Sequence, residues 1–201
     1  WLGNTISVFY AGFMSLKIGY KRSILVSFYG MTLTFVLLWF ASSYLLFAVF
    51  VFLLGLASGL YLPCGIPLIT AVFSREHWGK AISFHETAAG FGMLTVPFFV
   101  AFVISIIHWK SVFFIMSGAC LLIGVLFHTA SPDPRPEKGE TADMWEIVRR
   151  KEFWIMTALW CSCAIASMGI YNIIPLYLVK ERGIEIEAAN TLFGISRIGG
   201  F

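Results

Sequence analysis

The sequence predicts an all-α integral membrane protein, a multi-pass helical bundle. Three observations carry that prediction. First, hydrophobic residues make up 59% of the 201 residues and charged residues 12%, against about 25% charged in an ordinary soluble domain. Mean hydropathy is +0.84. Second, the charges are clustered. Between Ser23 and Ser74 the only ionisable side chains are tyrosines and Cys64, and the runs Thr87–Trp109, Ser111–Pro132 and Phe153–Val179 contain no Asp, Glu, Lys or Arg. A spanning helix needs about 20 mostly apolar residues, so the first run holds two spans and each of the others holds one. Third, none of these runs alternates polar and apolar residues. Backbone groups in lipid must be satisfied by a helix or a closed barrel, and barrel strands would be about 10 residues long with polar lumen positions. Helices are therefore predicted throughout.

The elements follow in chain order. Residues 1–16 read as the end of a helix. Residues 23–40 form a span, and "ASSY" a tight turn. Residues 45–73 form one long span with Pro63 and Pro67, each able to kink or break it. "SREHWGK" is a polar loop. Residues 81–107 form a span containing Pro97, "HWKS" a short loop, and 112–128 a span. "TASPDPRPEKGETADMWEIVRRKE" is a long polar connector. Within it "DMWEIVRRKEFW" fits an interfacial helix with Trp145 and Trp154 as anchors. Residues 153–179 form a span, "KERGIEIE" a loop, and 188–201 the start of another span. The chain opens without Met and inside an apolar helix, and it closes inside another. At least one span is expected before Trp1 and several after Phe201.

Net charge is +3. In such a chain it reflects loops on one side of a bilayer, and no nucleic-acid partner is expected. With loops assigned alternately to two sides, one side collects Lys17, Lys21, Arg22, Arg75, Lys80, Arg135, Lys138, Arg149, Arg150 and Lys151. The other collects Lys110, Lys180 and Arg182. Basic residues mark the cytoplasmic side, so the connector 129–152 is expected in the cytoplasm, in a cell membrane (bacterial inner membrane or plasma membrane). Cys64, Cys120, Cys161 and Cys163 lie in spans as small packing residues, because "CSC" lacks the partners a zinc site needs. No metal and no cofactor is expected.

Several polar groups stand inside the apolar runs. His85 and Glu86 lie a few residues past Lys80. Ionisable groups at depth are costly and often functional, and a carboxylate taken out of water favours its neutral, proton-binding form. Glu86 with His85 is thus a proton-coupling or gating pair, or else a pair at the cytoplasmic rim. Tyr171 and Asn172, just before Pro175, are candidates for lining a substrate pathway or for ordinary interhelical bonds; Asn4 is a weaker one. "GLASG" brings Gly55 and Gly59 to small-xxx-small spacing, for close helix packing or a sliding seam. Arg197 sits in the last apolar run, flanked by Gly194, Gly199 and Gly200. A guanidinium there needs a partner or water, and it offers a planar fork to a carboxylate. It either grips an anionic substrate or pairs with an acid elsewhere.

The loop "AGFMSLKIGYKRS" joins two spans with Gly12, Gly19, Lys21 and Arg22. This resembles the loop between the second and third helices of the major facilitator superfamily. Leu16 stands where the family usually has Asp, and Tyr20 where it often has Arg. Gly92 and Pro97 match the fifth-helix motif, with Val96 for its second Gly; the fourth-helix arginine is not evident, with Val51 at the equivalent position. "HWKSVFF" is similar to the start of the sixth helix, and "YNIIPLYLVKERGI" to the end of the seventh. The likeness implies a partial fold of that family, covering helix two to early helix eight. It divides the chain into an N-terminal half at 1–128, a connector at 129–152 and the start of a second half at 153–201, where the full protein has two six-helix halves. It implies a secondary transporter of a small solute by alternating access, functioning as a monomer and coupled to protons. The eighth-helix Arg197 matches organic-anion porters of the monocarboxylate type; an exporter of hydrophobic compounds is the alternative. No HExxH, Gly-x-Ser-x-Gly or paired Asp marks an intramembrane enzyme, so no enzymatic activity is expected. That enzyme class and a non-transporting sensor are the readings from other classes.

Overall fold

Long charge-free runs can satisfy their backbone only by coiling, and they do. The computed structural model describes residues 1–134 and 144–196, except the side chains at 144, 145, 167, 168, 170–172, 187 and 190. Its helices are α1 (Leu2–Ile18), α2 (Tyr20–Phe40), α3 (Tyr44–Ser58), α4 (Tyr61–Val72), α5 (Trp78–Ile106), α6 (Ser111–Ala130), α7 (Met144–Arg149), α8 (Lys151–Lys180) and α9 (Ile186–Ser196). Among the described residues, four stretches are long and apolar enough to cross a membrane: Tyr20–Phe40, Tyr44–Val72, Arg75–Ile106 and Ser111–Ala130. They match the first four charge-free spans. Their outer faces carry large apolar side chains, with Leu33, Phe40, Leu45 and Phe102 all well exposed. Lipid, not water, suits such a surface.

The residues fall into two compact units, Trp1–Ala89 with Phe102–Pro136, and Gly90–Ala101 with Glu137–Phe201. In the first, α2 is central and packs on α1, α3, α4 and α6. The core joins Ala11, Ile24, Leu60, Cys64 and Leu68, with Tyr61, Phe28 and Phe127 against it. Small side chains let the helices approach. Gly3, Ser7, Ala11 and Ser15 are buried at four-residue intervals along α1, which puts them on one face. That face meets α3, where the Asn4 side-chain amide donates to Ser58 Oγ at 3.4 Å. Between α2 and α6, Ser117 Oγ donates to the Thr32 carbonyl at 3.0 Å. In the second unit α9 packs on α8, and Gly194 lies so close to Phe98 that a Cβ there would be 2.7 Å from the ring.

Five details differ from the sequence reading. The turn after α1 is a single residue, Gly19, not a six-residue loop. Its φ of 91° and ψ of 160° belong to backbone that only glycine adopts readily. Residues 17, 18 and 20–22 are helical because long basic side chains at a helix end reach water without unwinding it. The long span is interrupted at Gly59–Leu60, upstream of both prolines. Pro63 lacks the N–H that would bond to the Gly59 carbonyl, so the ladder opens four residues before the proline and Pro63 itself fits the first turn of α4. Residues 78–80 form the first turn of α5 rather than loop, with the Trp78 indole donating to the Phe73 carbonyl at 2.9 Å and capping α4. Finally, α8 runs unbroken through Pro175, so Tyr171 and Asn172 do not stand beside a helix break. α9 starts at Ile186, two residues earlier than expected.

The turns sort into two ends of the first unit. Lys21 Nζ donates to the Ser131 carbonyl at 2.6 Å, so the α1–α2 turn and the start of the connector share one end. Lys110 Nζ donates to the Ala41 carbonyl at 2.7 Å, so the α2–α3 and α5–α6 turns share the other. This is the alternation assumed in sorting the basic residues. The short α7 lies within the stretch read as an interfacial helix; Arg150 pairs with Glu146 at 2.9 Å and the Trp154 indole donates to the Val148 carbonyl at 2.9 Å.

Candidate functional site

Helix α5 begins at Trp78, so Glu86 lies eight residues along it, about 12 Å from its start. The neighbouring His85 is turned toward α4. Its Nε2 is 2.9 Å from Tyr61 Oη, and the two rings stack at 5.8 Å with 21° between planes. The other ring nitrogen, Nδ1, is 3.2 Å from Glu86 Oε1. Sequence neighbours point about 100° apart on a helix, yet these two side chains come within bonding distance. The result is a continuous run, Tyr61–His85–Glu86, linking α4 to α5. The His85 side chain is 20% exposed and Glu86 53%, so the middle of the run is largely covered and its Glu86 end reaches open space. Gly65 sits one helical turn beyond Tyr61, and a Cβ there would be 3.9 Å from His85 Nε2. Tyr61 is further fixed by Phe28, whose ring meets it edge-on at 5.9 Å.

Such a run can pass a proton in either direction. With Glu86 ionised, Nδ1–H donates to the carboxylate and Nε2 accepts from the Tyr61 hydroxyl. With Glu86 protonated, the carboxyl donates to Nδ1, and Nε2–H donates to the tyrosine oxygen. The second state holds one proton more than the first: Nδ1 gives its proton to Glu86 while Nε2 takes one delivered from outside the run. Tyr61 was missed in the sequence. The signal available was a lone phenol in a charge-free span, but its partner is 24 residues away and no local pattern joins them.

The other predicted residues are dispersed. Gly19 makes the α1–α2 turn; Ser23 Oγ donates to its carbonyl at 2.8 Å, and Lys21 reaches Ser131. A Cβ at Gly19 would lie 3.8 Å from Asp133 Oδ1, so a connector carboxylate stands beside the basic turn that has Leu16 in place of an acid. Arg22 is exposed in the first turn of α2. Gly12 and Gly92 have no neighbour within 4 Å of where a Cβ would be, apart from their own helix. Pro97 is inside α5 without ending it. Tyr171 and Asn172 lie in α8, their side chains outside the described residues, and Arg197 is wholly outside them. Cys64 is buried in the core, and Cys161 and Cys163 are exposed on α8. Among the described residues no group of three or more His, Cys, Asp or Glu is placed to hold a metal ion.

The sequence model of the Major Facilitator Superfamily matches residues 1–201. Among curated proteins, the chain is similar to Protein TsgA of Shigella flexneri, 26% identical over 198 residues, covering 94% of this chain and 49% of that protein. It is also similar to the Protein TsgA homolog of Edwardsiella ictaluri (strain 93-146), 24% identical over 196 residues with the same coverage. Protein TsgA of Escherichia coli O9:H4 (strain HS) is 26% identical over 198 residues, again covering 94% and 49%. The chain thus spans about half the length of the curated relatives it matches.

Proposed function

The chain belongs to the major facilitator superfamily, and on that premise we propose that it is part of a secondary transporter that moves a small organic anion by alternating access, coupled to protons. In this reading, residues 1–128 supply most of one helical half, 129–152 the connector, and 153–201 the start of the other half. The halves rock about a central site. The observation that carries the proton coupling is the run Tyr61–His85–Glu86 inside a membrane span, with hydrogen-bond distances at both links. Glu86 takes up the proton, His85 passes it, and Tyr61 anchors the imidazole on α4. Arg197 holds the substrate anion, with Tyr171 and Asn172 along its path.

The test separates coupling from binding. One proton moving down a one-unit pH gradient supports about tenfold accumulation, because a pH unit is about 1.36 kcal/mol. In the whole protein, Glu86→Gln is expected to lose that accumulation while keeping substrate exchange across liposomes. Tyr61→Phe is expected to slow proton-driven uptake and leave exchange intact. Equal loss of accumulation and exchange, or no loss of either, would overturn the coupling role and return the pair to a structural rim.

The same reading orients the molecule, with the α1–α2 turn, loop 74–80 and the connector in the cytoplasm. Single cysteines at Ser131 and Glu185, in an otherwise cysteine-free whole protein, test this on intact cells. An impermeant thiol reagent should label position 185 and spare 131; labelling of 131 alone would invert the orientation.

A further inference from the structure

At the end of the first unit opposite the Lys21 turn lies an open groove of about 310 Å³, lined by Ala41, Ser42, Ser43, Tyr44, Phe47, Trp109 and Lys110. We propose that this groove binds the phosphate headgroup of an anionic phospholipid. The inference is independent of the transport reading.

The groove has the chemistry of a headgroup site. Lys110 spends one N–H on the Ala41 carbonyl, which fixes its ammonium beside the groove and leaves two donors. The ammonium also lies 5.8 Å from the centre of the Trp109 ring. Neither flanking turn, 41–47 nor 106–113, contains an acid, so no intramolecular carboxylate from those turns competes for the charge. Ser43 Oγ accepts from the Leu46 N–H as the cap of α3, and its own O–H remains a donor. Trp109 packs edge-on against Phe113 at 5.9 Å, and Phe47 meets Phe113 at 6.0 Å. That gives a rigid aromatic floor.

Position selects a lipid over a dissolved anion. The groove lies where two spans end, at Phe40 and Ile106, and two begin, at Tyr44 and Ser111. This is the level at which Trp and Tyr meet headgroups. Phe40, Leu45, Ile106 and Phe114, each within four residues in sequence of a groove residue, are well exposed and offer apolar surface for acyl chains. A lysine, two hydroxyls and aromatic walls above such a surface match a phosphate with its glycerol and tails. A lysine near an anionic bilayer surface is attracted to it by about 1 kcal/mol.

The whole protein, purified in detergent, would be offered equimolar phosphatidylglycerol and phosphatidylcholine with identical acyl chains, and bound lipids counted by native mass spectrometry. The protein is expected to prefer phosphatidylglycerol, and Lys110→Ala to lower that preference about fivefold, the worth of one lysine near an anionic surface. Because Lys110 also holds Ala41, a second variant guards against unfolding. Ser43→Asp keeps an N-cap acceptor and adds a negative charge to the groove. It should lower the preference at least as much, with an unchanged melting temperature. Inorganic phosphate in place of lipid should not bind measurably. An unchanged preference in Ser43→Asp, no preference in the unaltered protein, or phosphate binding as tight as that of the lipid would each overturn the proposal.

Discussion

Arg197→Ala in the whole protein is expected to weaken binding of a carboxylate substrate by at least about thirtyfold, the equivalent of about 2 kcal/mol for deleting one side of a desolvated charge pair. Arg197→Lys is expected to weaken it by about tenfold, since the ammonium keeps the charge but not the second bond of the planar fork. Arg197 follows Ser196, the last described residue of α9, which lies ten residues past Ile186 and so about 15 Å along the axis. A bilayer core is about 30 Å thick. If the last apolar run begins a span, as proposed, a guanidinium at mid-depth costs about 2.5–3.5 kcal/mol on insertion scales, and it cannot shed its charge. Something must repay that cost: an anionic substrate, or an acid elsewhere in the whole protein. Gly194 is already used, because Phe98 fills the space beside it. The measurement pairs carboxylate affinity with expression level. Unchanged affinity in well-expressed Arg197→Ala would sink the binding role. Collapse of expression, rescued by neutralising one acid elsewhere, would instead establish a structural ion pair.

The legible part of the fold was the part written in charge. The run from Ser23 to Ser74 is legible as two spans because it holds no charged side chain, and the turn between them falls at "ASSY", where Ser43 caps the next helix. Hydrogen-bond topology was less legible. Prolines at 63 and 67 announce a defect, but the carbonyl that a missing N–H deserts lies four residues upstream, so the interruption came at Gly59–Leu60. Pro175 announces one too, and α8 continues through it. Charge misled at the first turn, where Lys17, Lys21 and Arg22 suggested a loop although only Gly19 leaves the helix. In the candidate site, His85 and Glu86 were visible as ionisable groups within an apolar run. Their bond to each other and the Tyr61 contact were not, because helical neighbours diverge and a partner on another helix leaves no periodic trace. The lipid-headgroup groove was invisible for the same reason: its lysine and serines come from turns 69 residues apart, at Lys110 and Ala41.

Gly59→Ala is expected to destabilise the first unit by about 1–3 kcal/mol, the range for forcing extra atoms into a packed contact. A methyl group at Gly59 would lie 2.6 Å from the Asn4 carbonyl oxygen and 2.8 Å from Ser7 Cβ. Backbone cannot swing aside as a long side chain can, so α1 and the end of α3 must move apart. The contact extends along the seam. A Cβ at Gly55 would be 3.0 Å from the Asn4 nitrogen, and one at Gly3 would clash with the Phe52 carbonyl oxygen. Small residues are thus used from both sides, which is how membrane helices gain van der Waals contact where no hydrophobic force drives them together. Gly55 and Gly59 were open to two readings, close packing or a seam that slides. Both contacted helices belong to the same compact unit, and Asn4 is hydrogen-bonded across the interface, which favours static packing. The control is Gly79→Ala, in the first turn of α5, where a Cβ would meet open space. Thermal unfolding of the whole protein in detergent should show Gly59→Ala melting well below the unaltered protein and Gly79→Ala melting at or above it. If Gly59→Ala kept its melting temperature but lost transport, the seam would be a moving one, and the packing assignment would fall.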